Sequence, residues 1–305
     1  MPSPLVTVVV LAYNNYPDTH DCIASLQELD YPHLRIVLVD NGSTDGTAER
    51  AREDFPQVGI VQTGRNLGVA GGFNPGILWA LDEGAEAVFI LNNDTIVDRA
   101  MIAQLVEAGA DAGDCGMLMP KILYFDEPAR IWSAGARYRR FPPAIVMRGL
   151  NEPDDGRFDR LEEIDFAPTC GLLIRRQTFE RVGLLDDGFF FFFDDWDFSR
   201  RVRRAGLQIL YVPAARLLHK VSRTIQRQGR PPFYWRTWGA SGARYYRRYG
   251  RPAIVSAVVH LGYLALREGL RSGPGAAFHF LQGASQEWAR PPSSPPALPG
   301  QSSGV

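Results

Sequence analysis

The sequence predicts an α/β fold built on a mostly parallel, doubly wound sheet. Three observations predict it. Residues 5–12, 35–39 and 88–91 are continuous apolar runs rich in β-branched side chains, which suits strands buried on both faces. The stretches between them carry helical spacing, as in 18–29, where Cys22, Ile23, Leu26 and Leu29 share one face. Each run is followed at once by polar residues: Tyr13-Asn14, Asp40-Asn41 and Asn92-Asn93-Asp94. Ligands of open α/β sheets gather at the carboxyl ends of the strands, so these three loops are expected on one edge of the sheet.

The remaining elements follow in order. The turn Asn41-Gly42-Ser43-Thr44-Asp45-Gly46 leads into a helix over 47–55. A short strand is expected over 59–62, a Gly-rich helix over 68–84 and another helix over 101–110. Residues 137–165 are rich in Pro, Gly and charge and predict loop and edge-strand material. A small-residue strand is expected over 166–174 and a short helix over 177–182. A helix over 196–205 has Gly206 as its C′ residue. A strand over 208–212 is expected to close at Pro213. Residues 233–249 are aromatic and basic, and 252–266 are apolar. From 291 onward Pro, Ser and Gly predict disorder.

The 305 residues are 45% hydrophobic and 22% charged, ordinary for a globular chain. The formal net charge of -1 hides an asymmetry: no acidic residue lies between Asp197 and Glu268, while Arg recurs there. A basic C-terminal region suggests contact with phosphates, nucleic acid or an anionic membrane face. Its aromatics alternate with a helical apolar stretch, which favours membrane attachment over nucleic acid. Cys22, Cys115 and Cys170 make neither a metal-ligand pattern nor a disulfide framework, and point to a reducing cytosolic compartment. Residues 5–12 lack a basic leader and a cleavage site and are too short to span a bilayer, so they read as a strand rather than a signal peptide.

Several segments carry chemistry. The carboxylate of Asp40 and the amide of Asn41, at a strand end, suit hydrogen bonding to a nucleobase edge, though Asn-Gly and Asp-Gly are also ordinary turn residues. Asn92, Asn93 and Asp94 offer hard oxygens suited to Mg²⁺ or Mn²⁺; alternatively Asp94 caps a following helix. Asp194, Asp195 and Asp197 surround Trp196 just after five Phe residues. Crowded carboxylates beside apolar rings have raised pKa values, which suits general-base work or, equally, a capped helix start. His219 is a ligand type that accompanies Asp in such sites, although a lone His is more often structural. The segment Gly64-Arg65-Asn66-Leu67-Gly68-Val69-Ala70-Gly71-Gly72 could bring backbone N–H groups and Arg65 to phosphates. It is not a dinucleotide fingerprint, and there is no Walker-type loop, which weighs against a dehydrogenase or an NTPase.

In order and spacing these motifs resemble the family 2 inverting glycosyltransferases with the GT-A fold. The resemblance covers about residues 5–222 and looks closest to the branch of rhamnosyl- and galactofuranosyl-transferases of bacterial envelope polysaccharides. It implies a GT-A domain over 1–222, with a donor-binding half over about 1–115 and an acceptor and catalytic half over about 116–222. A basic, aromatic helical extension over 223–290 and a disordered tail over 291–305 follow. The implied donor is a UDP-, dTDP- or GDP-sugar, the acceptor a saccharide or a lipid-linked one, and the metal Mg²⁺ or Mn²⁺. Asp40 and Asn41, with Leu11, Ala12, Tyr13 and Asn14, would hold base and ribose. Arg65, Asn66, Gly68 and Gly72 would face the phosphates. Asn92 and Asp94 occupy the ends of the DxD motif, beside Asn93. Asp94 and His219 match metal ligands, and Asp195 matches the base. Asp194, Trp196 and Asp197 would start the acceptor-side helix.

The first DxD carboxylate is here the neutral Asn92, so the metal site has one charge fewer. The QxxRW motif of processive synthases is absent, which implies transfer of one or few sugars. A sugar-phosphate nucleotidyltransferase is the competing enzyme, but its Gly-rich basic signature does not follow residues 5–12. An inactive sugar-nucleotide-binding scaffold competes through Asn92, against Asp195 and His219. The expected location is the cytoplasmic face of the cell membrane, reached through the C-terminal region; self-association through the same aromatics stays open.

Overall fold

The computed structural model describes residues 3–110, 112–139, 144–221, 230–249, 253–291 and 293–299. The expected domain boundary at Ser222 and the tail beyond 299 lie outside them. The chain opens with strand β1 (Val6–Ala12), helix α1 (Tyr16–Gln27), β2 (Leu34–Asp40), α2 (Thr47–Asp54) and β3 (Gly59–Gln62). Then come α3 (Gly68–Asp82), β4 (Ala87–Asn92), β5 (Thr95–Val97), α4 (Met101–Ala110) and β6 (Cys115–Tyr124).

A mixed ten-stranded sheet organises the domain. It also takes in β7 (Ile131–Ser133), β10 (Glu162–Ile164), β11 (Gly171–Arg175) and β12 (Gln208–His219), in the order β10-β12-β6-β11-β4-β1-β2-β3. The β4-β1-β2-β3 side is wholly parallel. Its strands are apolar throughout: Val8, Val9, Val10, Val37, Leu38, Phe89 and Ile90 are completely buried, as expected for strands covered on both faces. In the register, Ala12 pairs with Asp40 and Leu11 with Asn92. The three polar loops therefore leave the sheet on one edge. The strand order reverses at β1, with β2 on one side and β4 on the other, so this edge is a topological switch point.

Two expected boundaries shift. The strand expected over 166–174 starts only at Gly171, where it inserts antiparallel between β4 and β6. Pro213 does not end its strand. β12 continues to His219 through an irregularity between Val212 and Arg216, a place where a residue without an N–H is tolerated. Residues 137–165 contain a separate hairpin of β8 (Ala136–Arg139) and β9 (Ala144–Met147).

Helices α5 (Arg176–Val182) and α6 (Asp194–Arg204) complete the domain, and α7 (Pro232–Tyr249), α8 (Ala253–Ser272) and α9 (Pro274–Trp288) follow it. The aromatic and cationic side chains of α7, expected at a membrane, are largely spent inside the protein. Trp235, Tyr245 and Tyr249 are buried, with Tyr245 against Phe193 and Trp196. Arg244 pairs with Asp186 at 3.0 Å, and Arg248 bridges Asp186 at 2.7 Å and Asp197 at 2.5 Å. The stretch expected to be disordered also makes contacts: the Leu184 N–H donates to the Pro296 carbonyl at 3.0 Å.

Candidate active site

The loops after β1 and β2 are cross-linked. Asn14 and Asn15 have positive φ, 58° and 62°, a conformation that Asn tolerates. That turn lets the Asn14 N–H donate to Ser43 Oγ at 2.8 Å while its Oδ1 accepts from the Thr44 N–H at 2.9 Å. Asp40 is buried, and its Oδ1 accepts from the Ser43 N–H at 2.9 Å. Tyr13 stands half exposed beside them. Leu11 and Ala12 act through their carbonyls, which accept from the N–H groups of Asn93 at 3.2 Å and Asn41 at 2.8 Å. They tie the three loops together.

Two of the expected contact residues also have partners within the protein. The Asn41 amide is one of them. Its Nδ2 donates to the Gly68 carbonyl at 2.9 Å, and its Oδ1 accepts from the Leu67 N–H at 3.0 Å, so it shapes the Arg65–Gly68 turn. Gly72 is the other: a Cβ there would stand 2.7 Å from Leu11 Cδ1 and 2.9 Å from Asn41 Nδ2, so the glycine lets α3 pack onto β1. Asn66 Oδ1 accepts from the Gly68 N–H at 2.9 Å, and Arg65 is exposed. Gly68 has φ +78°, and a Cβ on it would strike the Phe190 carbonyl. That carbonyl accepts from the Val69 N–H at 2.8 Å, which joins this turn to the Phe run before α6.

Asp94 does not cap a helix, because β5 follows it directly. β5 pairs antiparallel with the end of β12, His219 opposite Thr95, and this pairing sets His219 Nε2 3.2 Å from Asp94 Oδ1. The ring stands edge-on to Trp132 at 4.6 Å between centroids, with Nδ1 3.9 Å from Cys170 Sγ. Burial works to lower the imidazole pKa, but Cys170 and Asp94 outweigh it and push it up to about 10. Among the described residues no three His, Cys, Asp or Glu side chains form a metal cluster. The pair itself fits a divalent ion: two cis ligands at about 2.1 Å from an octahedral centre lie about 3 Å apart. Two protein ligands also suit an ion that keeps substrate phosphates and water in its remaining positions.

Asp194, Asp195 and Asp197 all fall in the first turn of α6, after Phe192 and Phe193 with positive φ of 68° and 64°. Their environments differ. Asp197 is fully buried and accepts from Arg201 Nε at 2.8 Å and the Tyr249 hydroxyl at 2.7 Å, besides Arg248. Its part is to anchor α7. Asp194 is buried, accepts from Thr169 Oγ1 at 3.1 Å, and is pushed up to about 6 by burial. Asp195 is half-buried, and its Oδ1 accepts from the Trp196 N–H at 2.9 Å. Its carboxyl is held well above the usual range by desolvation first and by the Asp194 charge second. Trp196 packs on Phe193, Phe166 and Tyr245 and lines a cavity of about 180 Å³ with Tyr138, Asp165 and Arg200.

Thr169 and Cys170 carry no local signature in the sequence, yet they reach Asp194 on one side and His219 on the other and so link the acid cluster to the Asp94 pair. Lys220 is equally unmarked. The backbone N–H of Lys220 donates to the Asp94 carbonyl at 2.8 Å, and its buried ammonium donates to Asp18 at 2.7 Å and Asp21 at 2.8 Å. It clamps the end of β12 to α1. These partners lie far apart in the chain, so no local pattern signals them.

A family model described as glycosyl transferase family 2 matches residues 7–183. The chain is 28% identical over 239 residues to the N-acetylglucosaminyl-diphospho-decaprenol L-rhamnosyltransferase of Mycobacterium tuberculosis, covering 70% of this chain and 76% of that one. It is 23% identical over 220 residues to the dTDP-rhamnosyl transferase RfbF of Shigella flexneri, covering 71% and 69%. The mannosyltransferase PcManGT of Pyrobaculum calidifontis, solved with GDP-Man and Mn²⁺, shares the fold with a TM-score of 0.53 at 20% identity, covering 94% of this chain and 87% of that one.

Proposed function

The chain belongs to glycosyl transferase family 2, and from that premise we propose that it transfers a single rhamnosyl-type sugar from a nucleoside-diphosphate donor to a lipid-linked saccharide, with inversion. The observation that carries this reading is the division of labour at the sheet edge. The Asp40 and Asp94 loops lie at the ends of parallel strands, and Asp195, with its raised pKa, stands at the head of α6, a turn whose Asp194 accepts from Thr169 and whose preceding Phe190 accepts from Val69. The donor reading is supported by the dTDP-rhamnosyl relative, and the acceptor reading by the diphospho-decaprenol one. An envelope polysaccharide and the cytoplasmic face of a membrane fit the same acceptor.

In this mechanism Asp195 takes the proton of the acceptor hydroxyl. The oxygen attacks the anomeric carbon from the face opposite the nucleotide, the bond from that carbon to the phosphate oxygen breaks, and the nucleoside diphosphate departs. A carboxylate with a raised pKa is the stronger base for this step. Asp94 and His219, with Asn92 as a neutral oxygen donor, would hold Mg²⁺ or Mn²⁺, which neutralises charge on the leaving diphosphate. Asp40 and the Ser43 turn would meet the nucleoside, and Arg65 the phosphates.

The test is nucleotide release from dTDP-rhamnose with a prenyl-diphosphate-linked N-acetylglucosamine acceptor and Mn²⁺. Asp195→Asn is expected to lower turnover about 10²- to 10⁴-fold while donor affinity is kept. Wild-type turnover in that variant would show Asp195 to be structural.

A further inference from the structure

Helices α8 and α9 turn apolar side chains outward as well as inward. On α8, Val259, Tyr263, Leu266 and Leu270 are exposed at spacings of four, three and four residues, which is one helical stripe. The opposite face, with Leu261 and Ala265, is buried in the cluster that includes Trp235 and Phe280. On α9, Phe278, Leu281 and Trp288 are exposed while Ala276, Phe280 and Ala284 face inward. The stripes meet where this hairpin closes: a Cβ on Gly269 would lie 3.1 Å from Ala277 Cβ, and Leu270 and Phe278 are the next residues along. Leu270 is 81% exposed. One exposed Leu is ordinary, but a double stripe along one hairpin marks an interaction surface.

Charge selects the occupant. From residue 230 to 291 the only carboxylates are Glu268 and Glu287, and both are buried in ion pairs. Glu268 pairs with Arg267 at 2.6 Å, and Glu287 with Arg244 at 3.1 Å and Arg290 at 3.2 Å. The outer surface of this region therefore presents exposed Arg271 and Arg290 beside the apolar stripes, and no exposed carboxylate. A second copy meeting this surface through a two-fold axis would set like charges against each other. An anionic lipid surface complements both the apolar and the cationic parts. No helix among the described residues is long and apolar enough to cross a membrane, so the hairpin would lie in the interface.

We propose that the α8–α9 hairpin is a docking face for an anionic bilayer. Leu266, Leu270 and Phe278 insert at headgroup depth, and Arg271 sits among the headgroups. The proposal deepens the lipid-linked acceptor reading and rests on it, because docking would bring the site to an acceptor held in the same bilayer.

The experiment is co-sedimentation of the full chain with vesicles of phosphatidylcholine alone or mixed with phosphatidylglycerol. Wild type is expected to sediment with the anionic vesicles only. Leu266→Asp with Leu270→Asp should lower that partition about tenfold or more, and Arg271→Glu a few-fold (about 1 kcal/mol per charge). Thermal melts and nucleotide release with a soluble acceptor analogue should match wild type in both variants. Wild type that stays in the supernatant, or variants that bind equally, would overturn the proposal. So would a wild-type dimer that the Leu variants dissolve without any vesicle binding; the face would then belong to a second copy. Vesicle binding that persists while no lipid-linked acceptor supports nucleotide release would strike the acceptor reading and leave the docking face standing.

Discussion

The edge of the sheet and the head of α6 treat carboxylates in opposite ways. After β2 and β4, each carboxylate has a hydrogen-bonding or ionic partner: Asp40 accepts from the Ser43 N–H, Asp45 from the Thr47 N–H and hydroxyl, and Asp94 faces His219. At the head of α6, Asp194 and Asp195 crowd together beside the Phe run, and burial raises both. The difference teaches that one chain can place carboxylates in two distinct environments. On the proposed reading the first set would hold an ion or a hydroxyl, and the second, raised by burial, would accept a proton.

Asp197 is the control within the second region. It lies two residues from Asp195, yet Arg201, Arg248 and Tyr249 satisfy it completely. Arg248→Met should therefore act on stability and leave chemistry alone. It removes one partner from the buried carboxylates Asp186 and Asp197, at a cost of about 3 kcal/mol. Urea unfolding and kcat, measured together, check this; a large fall in kcat with unchanged stability would move Arg248 into the site. Asp186 adds a pH dependence. Against the burial that would raise it, Arg244 and Arg248 hold its pKa below the ordinary value, so its stabilisation is complete above that value and lost as the pH falls through the folded one.

On the donor side, Asp94→Ala and His219→Ala should each weaken nucleotide-sugar binding in Mn²⁺ about tenfold or more. Neither should shift the acid limb set by Asp195. Calorimetry with and without EDTA reads the first part, and donor affinity that ignores both substitutions and EDTA would remove the metal from the reading.

The smallest effect sharpens the comparison most. Asp194 raises the Asp195 pKa, so Asp194→Asn should move the acid limb of the kcat profile to lower pH. The sign for stability follows from the same shift. The unfolded chain releases the Asp194 proton near the ordinary pKa of about 3.9, while the folded chain keeps it until about 6, so stability falls as pH rises through that window. Asp194→Asn should therefore melt no lower than wild type at pH 7. An unmoved acid limb would show that Asp195 is not the titrating base.

The sequence by itself determined the parallel half of the sheet and the three polar loops on its edge, because buried strands and their ends are local patterns of apolar runs and abrupt polarity. It also placed Asp195 among carboxylates, since crowding of charge is visible in four consecutive residues. Tertiary packing alone shows which of these carboxylates is committed to structure. Asp197 is satisfied by Arg248 and Tyr249, which lie some fifty residues away on α7. It also decided that His219 meets Asp94, because β12 runs on past Pro213 and pairs with β5. It gave Asn41 and Gly72 parts in supporting a turn and a helix, and it turned Arg244 and Arg248 of α7 inward. The physical reason is common to all of these. A strand or a helix start is written in neighbouring residues, whereas the partner that fixes a charge or fills a hydrogen bond is supplied by whichever distant segment the packed core brings beside it.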